Sequence, residues 1–263
     1  MNVAAALDTV IGRDRVLAAA GLIVLTALAW VYLVRDAASM NAMAGEAQMH
    51  RAMGMADMRA WGVADWFGLF TMWTVMMVAM MLPSAAPVIL LVLGVYRRRN
   101  DSTARLSSLA FVAGYLIVWT AFSLAASASQ TALHRNALLA PDMRSSSAFA
   151  SGVVLVMAGV YQWLPFKNTC LTHCRSPLGF LSLYWREGPM GGLSLGVRHG
   201  LFCVGCCWLL MALLFVVGVM NLAWVAALAG FVLIEKVARG GDVVGRVAGL
   251  GVAAWGVYLL TSA

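Results

Sequence analysis

Apolar residues run along this chain in long blocks, not in the alternating or one-sided patterns of a water-soluble fold. Seven blocks stand out: Val16–Val34, Trp66–Tyr96, Leu106–Leu133, Ala148–Leu164, Gly191–Val219, Asn221–Val237 and Val243–Leu260. A helix of about 20 apolar residues crosses the hydrocarbon core of a bilayer. The pattern therefore predicts an all-α bundle, a single integral membrane domain over residues 1–263 with about seven transmembrane helices. The second and fifth blocks exceed one crossing, so tilt, kinks or extensions beyond the bilayer are expected. Pro83 and Pro87 lie inside the second block. A helical proline removes a hydrogen bond and clashes with the preceding turn, which predicts a break near Leu82–Pro87. Gly218 to Asn221 is the turn signal between blocks five and six and predicts a tight antiparallel pair. Val16–Val34 is too long for the core of a cleaved signal and reads as the first span.

Composition strengthens this picture. Hydrophobic residues make up 62% of the 263 and charged residues 11%, with a mean hydropathy of +0.85. Lipid is the solvent that suits such a chain. The net charge of +7 is read as loop arginine that sets topology, so nucleic acid is discounted. With the N-terminus in the cytoplasm, the inner side collects Arg13, Arg15, Arg97, Arg98, Arg99, Arg105, Lys167, Arg175, Arg186, Lys236, Arg239 and Arg246. The outer side collects Arg35, Arg51, Arg59, Arg135 and Arg144. Twelve against five favours an N-in, C-out orientation. Residues 35–65 then form a non-cytoplasmic loop and 165–190 a cytosolic one. Arg198 falls within a span. Glu235 and Lys236 read as an adjacent charge pair at the cytosolic interface.

The candidate chemistry lies in sulfur. All five cysteines fall between Cys170 and Cys207. At 100° per residue, His199, Cys203 and Cys206 share a helix face within roughly 60°, and Cys207 lies about 40° from Cys203. Thiolates and imidazole suit Cu(I) or Zn(II) better than Mg(II) or Ca(II). The competing account is that cysteine is a small apolar residue often buried without function. Cys170, His173 and Cys174 form a second group just ahead of the fifth block. They read as part of a shared site, as an entry or exit relay, or as unremarkable loop thiols.

Met72, Met76 and Met80 form an i, i+4, i+8 stripe, with Met77 and Met81 beside it. Thioethers bind Cu(I) and hardly bind Zn(II), although methionine is also a common packing filler. Met40, Met43, Met49, His50, Met53, Met55 and Met58 crowd the stretch before that block. They suit either copper capture in an oxidising compartment or the apolar face of an interfacial segment. No phosphate-cradling glycine loop, Ser-His-Asp arrangement or haem-attachment motif is present.

Two stretches carry a family resemblance. One runs from Met72-Trp-Thr-Val-Met76 to Pro83-Ser-Ala-Ala-Pro87. The other runs from Pro165 through Cys170-Leu-Thr-His-Cys174, Trp185-Arg-Glu-Gly188 and His199-Gly-Leu-Phe-Cys203-Val-Gly-Cys206-Cys207-Trp208 to Met220-Asn-Leu-Ala-Trp224 and Glu235-Lys236. On these residues the chain resembles a bacterial family of predicted metal-binding integral membrane proteins, the DUF2182 family. The resemblance implies metal binding in a multi-pass protein of the bacterial inner membrane, and supplies no activity.

Three functions follow as expectations. The first is copper handling, by transport, storage or delivery: Cu(I) as the metal, zinc second, and a metallochaperone or membrane enzyme complex as partner beside the bilayer itself. The second is a membrane thiol–disulfide oxidoreductase working through cysteine pairs. The third is a non-catalytic subunit of a larger complex, in which Gly191, Gly192, Gly196 and Gly200 allow close helix approach.

Overall fold

The computed structural model describes residues 3–52, 62–99, 102–136 and 147–262; in the first helix, side chains are described for 12–40 and for Gly45. Among the described residues the chain is helical without strands. The elements are α1 (Val3–Ala52), α2 (Val63–Arg98), α3 (Ala104–Arg135), α4 (Ala148–Tyr161), α5 (Pro165–Arg175), α6 (Pro177–Tyr184), α7 (Gly188–Ala212), α8 (Leu214–Val217), α9 (Leu222–Val237) and α10 (Gly241–Ser262).

Five stretches are long and apolar enough to cross a bilayer: Gly12–Met40, Val63–Arg98, Ala104–Arg135, Gly188–Val217 and Gly241–Ser262. A sixth arises if α4 and α5, bent by 62° against each other, count as one. Five to six of the expected seven thus pass by length and composition. The block Asn221–Val237 yields the 16 residues of α9, about 24 Å at the helical rise.

Local sequence explains most of the breaks. Pro165 and Pro177 each sit at the first turn of their helix, and Pro189 opens α7, positions where a missing N–H costs nothing. Gly218 turns the chain with φ +92°, and the Asn221 side chain caps α9 by accepting from the Trp224 N–H. The turn is where the sequence places it, but α9 then packs mainly against α2, not α7.

Two other expectations are corrected. Pro83 and Pro87 do not break α2, which continues for 36 residues. Polar groups beside them supply extra bonds at this level: the Ser84 hydroxyl donates to Met81 O at 2.9 Å and the Tyr115 hydroxyl to the same oxygen at 3.2 Å. Residues 35–52, read as loop, prolong α1, because Ala, Met, Glu and Gln are strong helix formers. Likewise the stretch 165–190 holds α5 and α6.

Two close helix pairs organise the bundle. α3 and α7 run parallel: a Cβ on Gly192 would lie 2.1 Å from Ser107 O, and one on Gly196 2.0 Å from Phe111 O. α4 and α10 run antiparallel, with Gly152 against Leu260 and Gly159 against Gly249. Small residues let helix backbones touch where lipid gives no hydrophobic drive to association. At one end of the bundle, buried Asp14 of α1 pairs with Arg97 of α2 and with Arg105 of α3 at 3.0 Å. Arg99 reaches Glu187, just ahead of α7, at 3.3 Å. Tyr96 donates to Arg186 O at 2.8 Å.

Replacing Gly196 by alanine should lower the thermal midpoint of the detergent-purified protein, since the methyl has no room; overpacking of this kind costs about 1–3 kcal/mol. Gly251→Ala, which meets nothing within 4 Å, should leave the midpoint unchanged. Equal midpoints for the two variants would contradict the close α3–α7 contact.

Candidate metal centre

α7 turns one face wholly inward, and Cys203, Cys206, Cys207 and His199 are all buried on it. That is the result of their spacing, because residues three, four and seven apart share a side. Two other helices bring polar groups to Cys203, and a third holds one of them. Lys236 Nζ, at the end of α9, donates to Cys203 Sγ at 2.9 Å and to Ser84 Oγ of α2 at 3.3 Å. The Tyr115 hydroxyl of α3 stands 3.1 Å from Cys203 Sγ. The thiols of Cys206 and Cys207 donate back to Cys203 O at 3.1 and 2.9 Å.

α5 brings in the second sulfur group. Its 62° bend away from α4 lays it against α7. The Cys174 side chain interacts with that of Cys206, and Cys207 with both Cys203 and Cys206. Cys170 sits one turn earlier, buried over Gly205: a Cβ there would come within 2.9 Å of Cys170 Sγ. The glycine in Cys-Val-Gly-Cys-Cys thus makes room for a thiol from another helix. All five cysteines are free.

The remaining expected ligands have these surroundings. His199 is enclosed by the rings of Phe111, Tyr115 and Phe180, at 5.8, 5.7 and 5.4 Å between centroids. Its buried Nδ1 has no hydrogen-bond partner. His173 stacks on Phe202 at 4.2 Å, and its Nδ1 meets Thr169 O at 2.9 Å. Met72, Met76, Met77, Met80 and Met81 are all buried in α2. Met43, Met49 and His50 lie on α1 with side chains outside the described set, and Met53, Met55 and Met58 lie outside the described residues. Arg198 is exposed, its guanidinium 4.9 Å over the Tyr184 ring. Among the described residues, no group of three or more His, Cys, Asp and Glu side chains stands ready to hold a metal ion. The sulfurs are neighbours whose thiols are committed to internal hydrogen bonds.

A family model described as PpoB2, a copper chaperone, matches residues 70–259. The chain belongs to this family. The match spans all five cysteines and Met72–Met81 but not the Met-rich stretch 40–58, and it names a copper chaperone where the sequence resemblance gave the DUF2182 label. No curated protein and no solved structure matches the chain.

For a member of a copper chaperone family, the residues missed in the sequence are the polar partners. Glu235 and Lys236 do not pair with each other. They are consecutive on a helix and so point about 100° apart. Lys236 goes to Cys203, while Glu235 accepts from Lys167 of α5 at 2.5 Å. Lys167 also donates to Gln162, between α4 and α5. All four side chains are buried. The signal was available: ionisable residues inside an apolar segment need partners in the bundle. Which partners could not be read from one strand of letters.

Lys167→Met leaves Glu235 buried and alone. Breaking one side of a buried ion pair typically costs about 3–5 kcal/mol. The thermal midpoint in detergent should fall steeply for Lys167→Met and recover in part when Glu235→Gln is added. A double variant no more stable than the single one would contradict the pairing.

Proposed function

We propose that this protein is a multi-pass copper carrier of the bacterial inner membrane, which takes Cu(I) as cargo on Cys203, Cys206, Cys207 and Cys174 and passes it to a partner protein. The observation that carries this reading is the meeting of thiols from α5 and α7 in a buried interior, within a chain of a copper chaperone family. Bare sulfur and imidazole at that depth are costly unless something compensates them. A soft monovalent ion is the compensation that this donor set fits. The partnerless Nδ1 of His199 beside the group is a further available donor. Zinc shares the taste for thiolate and imidazole, but buried thioethers along α2 suit Cu(I) alone.

Cys170 and His173, at the edge of the group on α5, serve as a relay between the sulfurs and the partner. The methionines of α2 form the approach from the opposite end, and the Met-rich stretch before α2 is the capture region. In this reading α4–α5 and α9 count as crossings, with the N-terminus inside and the C-terminus outside. The antiparallel α4–α10 pair and the shared end of α1, α2, α3 and α7 support that alternation.

The contact between Cys174 and Cys206 favours one other reading, a reversible disulfide and thiol exchange. Metal content separates the two. Protein purified anaerobically in detergent from copper-replete cells should carry copper. The triple variant Cys203→Ser, Cys206→Ser, Cys207→Ser should fall to background. Copper content unchanged by the three substitutions would refute the coordination. A chelator-independent mass shift on mild oxidation and alkylation, in wild-type protein without copper, would favour thiol exchange.

A further inference from the structure

Lys236 ends α9 with its ammonium buried, and its acceptors are Cys203 Sγ at 2.9 Å and Ser84 Oγ at 3.3 Å. The carboxylate next to it in sequence, Glu235, is taken by Lys167. So the charge of Lys236 rests on a sulfur of the thiol group, that of Cys203, which adjoins Cys207. A cation already stands where a metal ion bound to Cys203 would place its own charge. In a medium of low dielectric, two positive charges a few ångströms apart repel strongly. The lysine head is compact and its four-carbon stem flexible, so it can withdraw from Cys203 toward Ser84.

We propose that Lys236 is a built-in competitor of the cargo: its ammonium holds the cation position at Cys203, yields it when Cu(I) enters, and drives Cu(I) out when it returns. The inference rests on the copper reading of these sulfurs and adds to it a device for release. A carrier has to let go, and a purely sulfur site in a dry interior would retain Cu(I) too well. By linkage, what the ammonium takes from copper affinity, copper takes from the ammonium's hold on Cys203.

The test is the Cu(I) affinity of the full-length protein in detergent, measured anaerobically against a chromophoric Cu(I) chelator. Lys236→Leu removes the charge and brings no donor atom of its own to the sulfurs, as a thioether would. It should retain Cu(I) more tightly than wild type, on the order of tenfold, or about 1.4 kcal/mol. Lys236→Arg keeps the charge and should bind no more tightly than wild type. A lysine that merely propped up the fold would on removal weaken binding, so tighter binding is specific to competition. Equal or weaker binding by Lys236→Leu would overturn the proposal.

Wild-type protein supplies a second reading that needs no variant. Lys167 and Lys236 are the chain's lysines. Reductive methylation followed by peptide mass spectrometry should label Lys236 more in Cu(I)-loaded than in metal-free protein, with Lys167 unchanged as internal control. Equal labelling of Lys236 in the two forms would also overturn it. Wild-type protein that takes up no Cu(I) removes the copper reading itself, which is a different failure from a loaded protein indifferent to Lys236.

Discussion

A positive charge inside an apolar helix bundle has to be answered within the bundle, and the interior of this protein is arranged around two such answers. Lys167 is met by Glu235 and Gln162; Lys236 is met by Cys203 and Ser84. Both involve the last turn of α9, where consecutive residues point about 100° apart and so reach different neighbours. The first ties the α4–α5 elbow to α9. The second ties α9 to α2 and α7. Neither helix end could shift far without stranding a charge in a medium that cannot solvate it. The placement of the cysteines of α5 against those of α7 depends on this double anchorage.

The same economy explains the sulfur. Cys206 and Cys207 return their thiol protons to Cys203 O, and Tyr115 joins Cys203 to the backbone of α2 through Met81 O. Every cysteine sulfur on α7 therefore has a local alternative to a metal. Such bonds are individually modest, and in the proposed copper reading a soft ion replaces them. A member of a copper chaperone family needs sites that fill and empty, and donors held in weak internal bonds offer that.

What could be read from the letters divides along the range of the interactions. Long apolar runs gave α1, α2, α3, α7 and α10, because crossing lipid is a property of a segment by itself. Helical periodicity put His199, Cys203, Cys206 and Cys207 on one inward face for the same reason. Apart from the extension of α1 past residue 35, the failures involve a second element. The prolines of α2 leave the helix whole in company with Ser84 and with Tyr115 from α3. The sequence placed Cys170 and Cys174 in a loop, but a bend after Tyr161 folds them onto α7. His199 shares the face of the cysteines, yet its ring is enclosed by Phe111, Tyr115 and Phe180. Lys236 looked like half of an interfacial pair until the partner of Glu235 was in view.

The parallel contact of α3 with α7 has one more consequence. Carbonyls of Ser107 and Phe111 lie where side chains on Gly192 and Gly196 would be, so the two backbones mesh like a key in a slot, and sliding by even one residue would drive Leu193 or Val197 into a carbonyl. The cysteines of α7 therefore ride on a fixed anvil. Any jaw that opens or closes over them has to be α5 or the end of α9, the elements that hold their places by side-chain charges and not by interlocked backbone.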